Sequence, residues 1–137
     1  MPRRATLLLA SLLTLASVGG CASRYKLDAE PPTYAAQAKI KVKTDKTGVR
    51  VMTMTVEHLA PPARIDPALR NYTVWISVPG HGVTKAGVLD YSERRRRGDL
   101  MVTSPYPKFE VLVTLESNPS TAQPGEQVIL RKVVASS

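Results

Sequence analysis

Residues 71–78 read Asn71-Tyr72-Thr73-Val74-Trp75-Ile76-Ser77-Val78. Every second side chain, Tyr72, Val74, Ile76 and Val78, falls on one face of an extended chain, and Thr73, Trp75 and Ser77 fall on the other. β-branched and aromatic residues fill the stretch, so it predicts a strand. A turn follows at Pro79-Gly80-His81-Gly82, then a strand from Val83 to Tyr91 in which Gly87 marks a bulge or a close approach of backbone. Asp99–Thr103 is short and β-rich, and Ser104-Pro105-Tyr106-Pro107 ends it. Phe109, Val111, Val113 and Leu115 alternate with Glu110, Leu112, Thr114 and Glu116 to give another strand, and after the Pro-containing loop 118–125 the chain closes with a strand over Glu126–Val134.

Upstream, residues 59–70 carry Pro61, Pro62 and Pro67, which a central strand does not tolerate, so they predict a crossing loop. Before it, Ala38, Ile40, Val42 and Thr44 alternate with Lys39, Lys41 and Lys43. This is a half-buried strand with a lysine face in solvent. Asp45-Lys46-Thr47-Gly48 turns the chain into a second β-rich run, Val49–His58, making a hairpin. Seven strands with turn signals every 8–12 residues, no amphipathic helix and no internal repeat predict an all-β fold. The expected architecture is an antiparallel, immunoglobulin-like β-sandwich over residues 38–137.

The chain has 137 residues, with 19 Lys+Arg against 11 Asp+Glu and a net charge of +8. This length suits one domain and excludes a large multidomain enzyme. Apolar residues make up 43% of the sequence, enough for a packed core. A single Cys excludes an intramolecular disulfide and a Cys-based zinc site, so packing alone must join the two sheets.

The N-terminus has a different grammar. Arg3 and Arg4 precede an apolar run from Ala5 to Val18, then Gly19, Gly20 and the only Cys, Cys21. Basic end, apolar middle and small residues before a cut make a secretory signal peptide, residues 1–20. The run is shorter than the roughly 20 apolar residues of a membrane-spanning helix. Val18-Gly19-Gly20-Cys21 resembles the lipobox of bacterial lipoproteins. The resemblance implies that the Cys21 thiol takes a diacylglyceryl group and that cleavage makes Cys21 the first residue, anchored by acyl chains. Ala22 at the next position implies, by the same resemblance, the outer membrane facing the periplasm. Without Arg3 and Arg4 the remaining chain still carries 17 cations against 11 anions. Residues 21–37, with Pro31-Pro32 and mixed charges, read as the lipidated Cys followed by a flexible tether.

Arg94, Arg95, Arg96 and Arg97 are four adjacent cations that must be solvated or paired. They read either as an electrostatic docking site for an acidic protein, lipid or polysaccharide, or as a solvated hairpin loop beside Glu93 and Asp99. Nucleic acid would match the charge, but an envelope address argues against it. Met52, Met54, His58 and His81 have the thioether and imidazole donors that suit Cu(I), so a periplasmic metal or small-ligand carrier is the alternative function. Methionines on one strand face also read as core. The sequence contains no G-x-S-x-G elbow, no H-E-x-x-H and no phosphate-cradling loop, and adjacent Glu57 and His58 point to opposite faces of a strand. The expectation is therefore a non-enzymatic envelope protein without cofactor or metal that binds another envelope component. Trp75 is expected in the core.

Residues 71–131 are similar to the extracytoplasmic domain of anti-sigma-K factors. The residues that carry the likeness are Tyr72-Thr73-Val74-Trp75, Ala86-Gly87-Val88-Leu89, Gly98-Asp99-Leu100, Phe109 through Glu116, and Pro124-Gly125 before Val128-Ile129-Leu130. The similarity implies a sandwich fold and an envelope location. It does not imply sigma-factor regulation, which in that family is expected to need a cytoplasmic sigma-binding domain and a membrane helix.

Overall fold

A computed structural model describes residues 22–136, and they form a β-sandwich of two antiparallel sheets. The strands are β1 (Ala22–Asp28), β2 (Gln37–Thr44), β3 (Arg50–Glu57), β4 (Asn71–Val78), β5 (Gly82–Val88), β6 (Asp90–Ser92), β7 (Arg97–Ser104), β8 (Lys108–Glu116) and β9 (Val128–Ala135). One turn of helix, α1 (Pro62–Ile65), lies in the 59–70 crossing. Sheet A has the order β1-β2-β3-β7-β6, and sheet B has the order β5-β4-β8-β9. With β1 set aside, these are the A-B-E-D and C′-C-F-G orders of an immunoglobulin-like sandwich.

The alternating side chains read from the sequence meet between the sheets. Ile40, Val42, Met52, Met54 and Val56 of sheet A are buried with Tyr72, Val74, Phe109, Val111, Val113 and Leu130 of sheet B. Full burial of each large aliphatic side chain contributes about 1.5–3 kcal/mol, and this is what holds two sheets together without a disulfide. The proline-rich crossing is pinned from below by two phenols. Tyr72 Oη donates to the Ala60 carbonyl, Tyr91 Oη donates to the Leu59 carbonyl at 2.6 Å, and the two rings meet edge to face at 5.7 Å. Burial pushes both phenol pKa values up, so the hydroxyls remain donors.

Among the described residues nine strands form where seven were expected, because one predicted strand divides and the expected tether supplies another. The predicted Val83–Tyr91 strand divides at Leu89. Its first part, β5, belongs to sheet B and its last, β6, to sheet A, while the Leu89 side chain is buried and its N–H donates to the Tyr72 carbonyl at 2.9 Å. Gly87 serves both expected purposes. Val74 pairs with Gly87 and Trp75 with Lys85, so Ala86 is bulged out, and a Cβ on Gly87 would lie 3.1 Å from Leu100 Cδ1.

The larger correction is the tether. Residues 22–28 are edge strand β1, paired with β2 along its whole length from Ala22↔Lys43 to Asp28↔Gln37. The alternation of Arg24 and Lys26 with Tyr25 and Leu27 puts the apolar pair inward. Tyr25 Oη then donates to the Ala135 carbonyl at 3.0 Å and accepts the Ala135 N–H at 2.9 Å, so the edge strand is fastened to the last strand of the other sheet. Pro31-Pro32, whose peptide bond is cis, lies in the tight reversal between β1 and β2, which is closed by Ala29 N–H donating to the Ala36 carbonyl. Among the described residues, the sandwich is therefore already in place from Ala22. Among the described residues, no helix is long and apolar enough to cross a membrane.

Candidate functional site

Three of the four arginines occupy the tip of the β6–β7 hairpin. Arg94, Arg95 and Arg96 are exposed, and the backbone that presents them is held in place. Arg95 N–H donates to Ser92 Oγ, Arg96 N–H donates to the Glu93 carbonyl, and the Arg96 carbonyl accepts Leu59 N–H at 2.9 Å. Arg96 adopts the left-handed conformation, φ 49°, that turns the chain into β7. Arg97 is different. It begins β7, and its Nε and Nη2 each donate at 3.0 Å to the carboxylate of Asp99, with Glu57 3.9 Å away. The guanidinium holds the Asp99 carboxyl below its ordinary range, helped by the Thr55 hydroxyl. The run is thus three outward cations and one paired one.

A second cationic array lies on the outer face of sheet A. The register sets Arg24 directly opposite Lys41, Lys26 opposite Lys39, and Lys43 opposite Ala22 and Val51. Arg24, Lys26, Lys39, Lys41 and Lys43 are all exposed. Lys39 Nζ donates to Glu57 at 3.1 Å and holds that carboxyl down, whereas the other four make no ion pair among the described residues. A groove of about 490 Å³ runs between Arg24, Lys26, Lys39 and Lys41 over Thr53 and Thr55. The lysine face of β2 is legible in the sequence. Its extension by Arg24 and Lys26 was hidden by the tether reading, although the alternation of residues 24–27 carried the signal.

The other expected residues are not gathered. Met52 and Met54 are buried in the core. His58 follows Glu57, which pairs with Arg97 at one end of β7, while His81 packs on Tyr106, beyond Ser104 at the other end, with ring centroids 4.8 Å apart. Those two ends are seven residues apart, about 23 Å along the strand. The histidines therefore cannot share one ion. No group of three or more His, Cys, Asp or Glu side chains is placed to hold a metal among the described residues. Cys21 lies outside the described residues, as do the twenty before it.

Trp75 is buried but is not between the sheets. It sits on the outer face of sheet B with Thr73, Leu112, Thr114 and Glu116, all buried there. Trp75 Nε1–H donates to Thr114 Oγ1 at 2.8 Å, and the Thr114 hydroxyl donates to Glu116 Oε1 at 2.7 Å. Glu116 Oε1 also accepts Gly125 N–H at 2.7 Å. Lys85 Nζ stands 5.9 Å from the Trp75 ring centre and donates to the Pro119 carbonyl. The 117–127 connection is tied across this face by these bonds.

Compared with known proteins, the chain is matched by no protein-family model, by no curated protein and by no solved structure.

Proposed function

We propose that this chain is a non-enzymatic, lipid-anchored protein of the bacterial envelope whose sandwich binds an anionic component of that envelope. Acylation of Cys21 supplies the anchor, and Arg94–Arg96 supply a docking tip. The observation that carries this reading is the presentation of three adjacent exposed arginines on a backbone tied at Ser92, Glu93 and Leu59. Guanidinium groups suit carboxylate and phosphate by geometry as well as charge. Arg97 supports the turn through Asp99 and is not one of the docking groups.

The anchor is tested by Cys21→Ala in the producing cell. The wild-type chain is expected in the membrane fraction with an acylated N-terminus, and the variant is expected to lose both. Membrane retention of an unacylated variant contradicts the reading. The docking tip is tested by crosslinking the lipidated chain in intact cells beside a variant with Arg94, Arg95 and Arg96 changed to Ser. A crosslinked species lost in the variant is the expected result, and identical crosslinks in both samples exclude the turn.

A further inference from the structure

The cations of sheet A are arranged at an energetic disadvantage to the fold. Arg24 faces Lys41 and Lys26 faces Lys39 in directly opposed positions, where like charges destabilise a sheet. Lys39 is relieved by Glu57, while Asp28, two residues from Lys26 on the same face, accepts from Gln37 Nε2 and is in no ion pair among the described residues. Of the other cations, Arg97 pairs with Asp99 and Arg131 Nη1 with Glu110 Oε1 at 2.6 Å, while Arg94, Arg95 and Arg96 stand exposed at their turn. An external anionic surface would remove the repulsion.

Two further observations identify that surface. The first is apolar exposure on the same face. Met101 of β7 pairs with Thr53 of β3, next to the groove, and is 70% exposed, in a hollow that it shares with Asp90 and Asp99. The second is position. Ala22 opens β1 beside Lys43, and Cys21 is joined to Ala22 by one peptide bond, about 3.8 Å between Cα atoms. With no tether between them, an acyl anchor on Cys21 would hold Arg24 and Lys43 within a few residues of the head groups.

We infer that the outer face of sheet A is a membrane-docking surface, on which Arg24, Lys26, Lys41 and Lys43 bind the phosphates of anionic lipid head groups and Met101 enters the interface. The sandwich then lies on the bilayer that carries its anchor instead of being held away from it. This rests on the lipoprotein reading for the anchor alone; the face itself can be tried without it.

The test uses the chain from Ala22 onward, which holds the nine strands and the core seen among the described residues. It contains no Cys21, so the outcome is independent of lipidation, which the Cys21→Ala experiment reads separately. Flotation is measured with vesicles of 30% phosphatidylglycerol in phosphatidylcholine and with pure phosphatidylcholine. The expected result is preferential binding to the anionic vesicles that is lost at high salt. Arg24→Gln, Lys41→Gln and Lys43→Gln combined should weaken it on the order of 100-fold, since each basic residue at an anionic surface contributes roughly fivefold. Met101→Ser should weaken it severalfold, and Lys108→Gln on sheet B should leave it within about twofold. Removing like-charge neighbours should leave the melting temperature unchanged or higher, which shows that the variant is folded. Equal binding to both vesicle types, or an unaffected triple variant, overturns the inference. Binding of the wild-type chain to soluble polyphosphate or dextran sulfate but not to vesicles overturns it in favour of an aqueous polyanion.

Discussion

The two outer faces of the sandwich use the same strand alternation to opposite ends. On sheet B the outward positions Thr73, Trp75, Leu112, Thr114 and Glu116 are closed off, and the 117–127 connection is stitched over them through Glu116, Gly125 and Lys85. On sheet A the outward positions of β1 and β2 include Arg24, Lys26, Lys39, Lys41 and Lys43, with Asp28 at the end of β1, and nothing among the described residues covers them. One face has found its partner within the chain. The other carries exposed, opposed cations and an exposed Met101, the features of a surface completed from outside. An outward strand position filled by Trp, Leu and Thr therefore signals a loop folded over the sheet, and a run of cations in the same register signals an open face.

Substitution at matched positions should separate the two faces. The largest effect is expected for Trp75→Ala, which empties a fully buried site and should cost about 3–5 kcal/mol in denaturant unfolding. Trp75→Phe keeps most of the ring and loses the N–H bond to Thr114, at about 1 kcal/mol. Glu116→Ala leaves the Thr114 hydroxyl and Gly125 N–H without their acceptor and should cost about 1–3 kcal/mol, with faster amide exchange through 117–127. A cost below about 0.5 kcal/mol at both Trp75 and Glu116 would make the sheet B cover incidental. On sheet A, Lys41→Gln removes one of two opposed cations and should leave stability unchanged or raise it by a few tenths of a kcal/mol. A clear loss there would show that the cations are structural and erase the contrast.

The smallest effect is a pH dependence at the rim of sheet A. Arg97 holds the Asp99 carboxyl below its ordinary value of 3.8, and Lys39 does the same for Glu57 below 4.5. A depressed folded-state value contributes stability that is present above the unfolded value and is lost as pH falls through the folded one. Stability should therefore decline slightly below about pH 4, and Asp99→Asn should flatten that decline. Both groups are partly exposed, so the effect is screened and should shrink further in high salt.

Much of the fold could be read from local alternation, because that pattern is what a sheet with one buried face requires. Ile40, Val42, Met52, Met54, Tyr72, Val74, Phe109, Val111 and Val113 are buried on the faces their spacing assigns. What escaped were features set by long-range contact. Pro31-Pro32 suggested an extended spacer, yet the Tyr25 phenol, bonded to Ala135 at the other end of the chain, fixes β1 in the sheet. Trp75 was expected in the core and is buried, but on the outer face of sheet B, under a cover supplied by residues more than forty positions later. The arginine run divides at Arg97 because the Asp99 carboxylate lies two residues on along the same strand, a spacing that puts both side chains on one face.

Lysine-modification footprinting of the lipidated chain in isolated envelope membranes, beside the same chain extracted in mild detergent, tests the open-face assignment most directly. Lys26, Lys41 and Lys43 on sheet A should be protected in membranes and reactive in detergent, while exposed Lys85 and Lys108 on sheet B should react equally in both. Full reactivity of the three sheet A lysines in membranes would contradict a docked sheet A and leave that face in solvent.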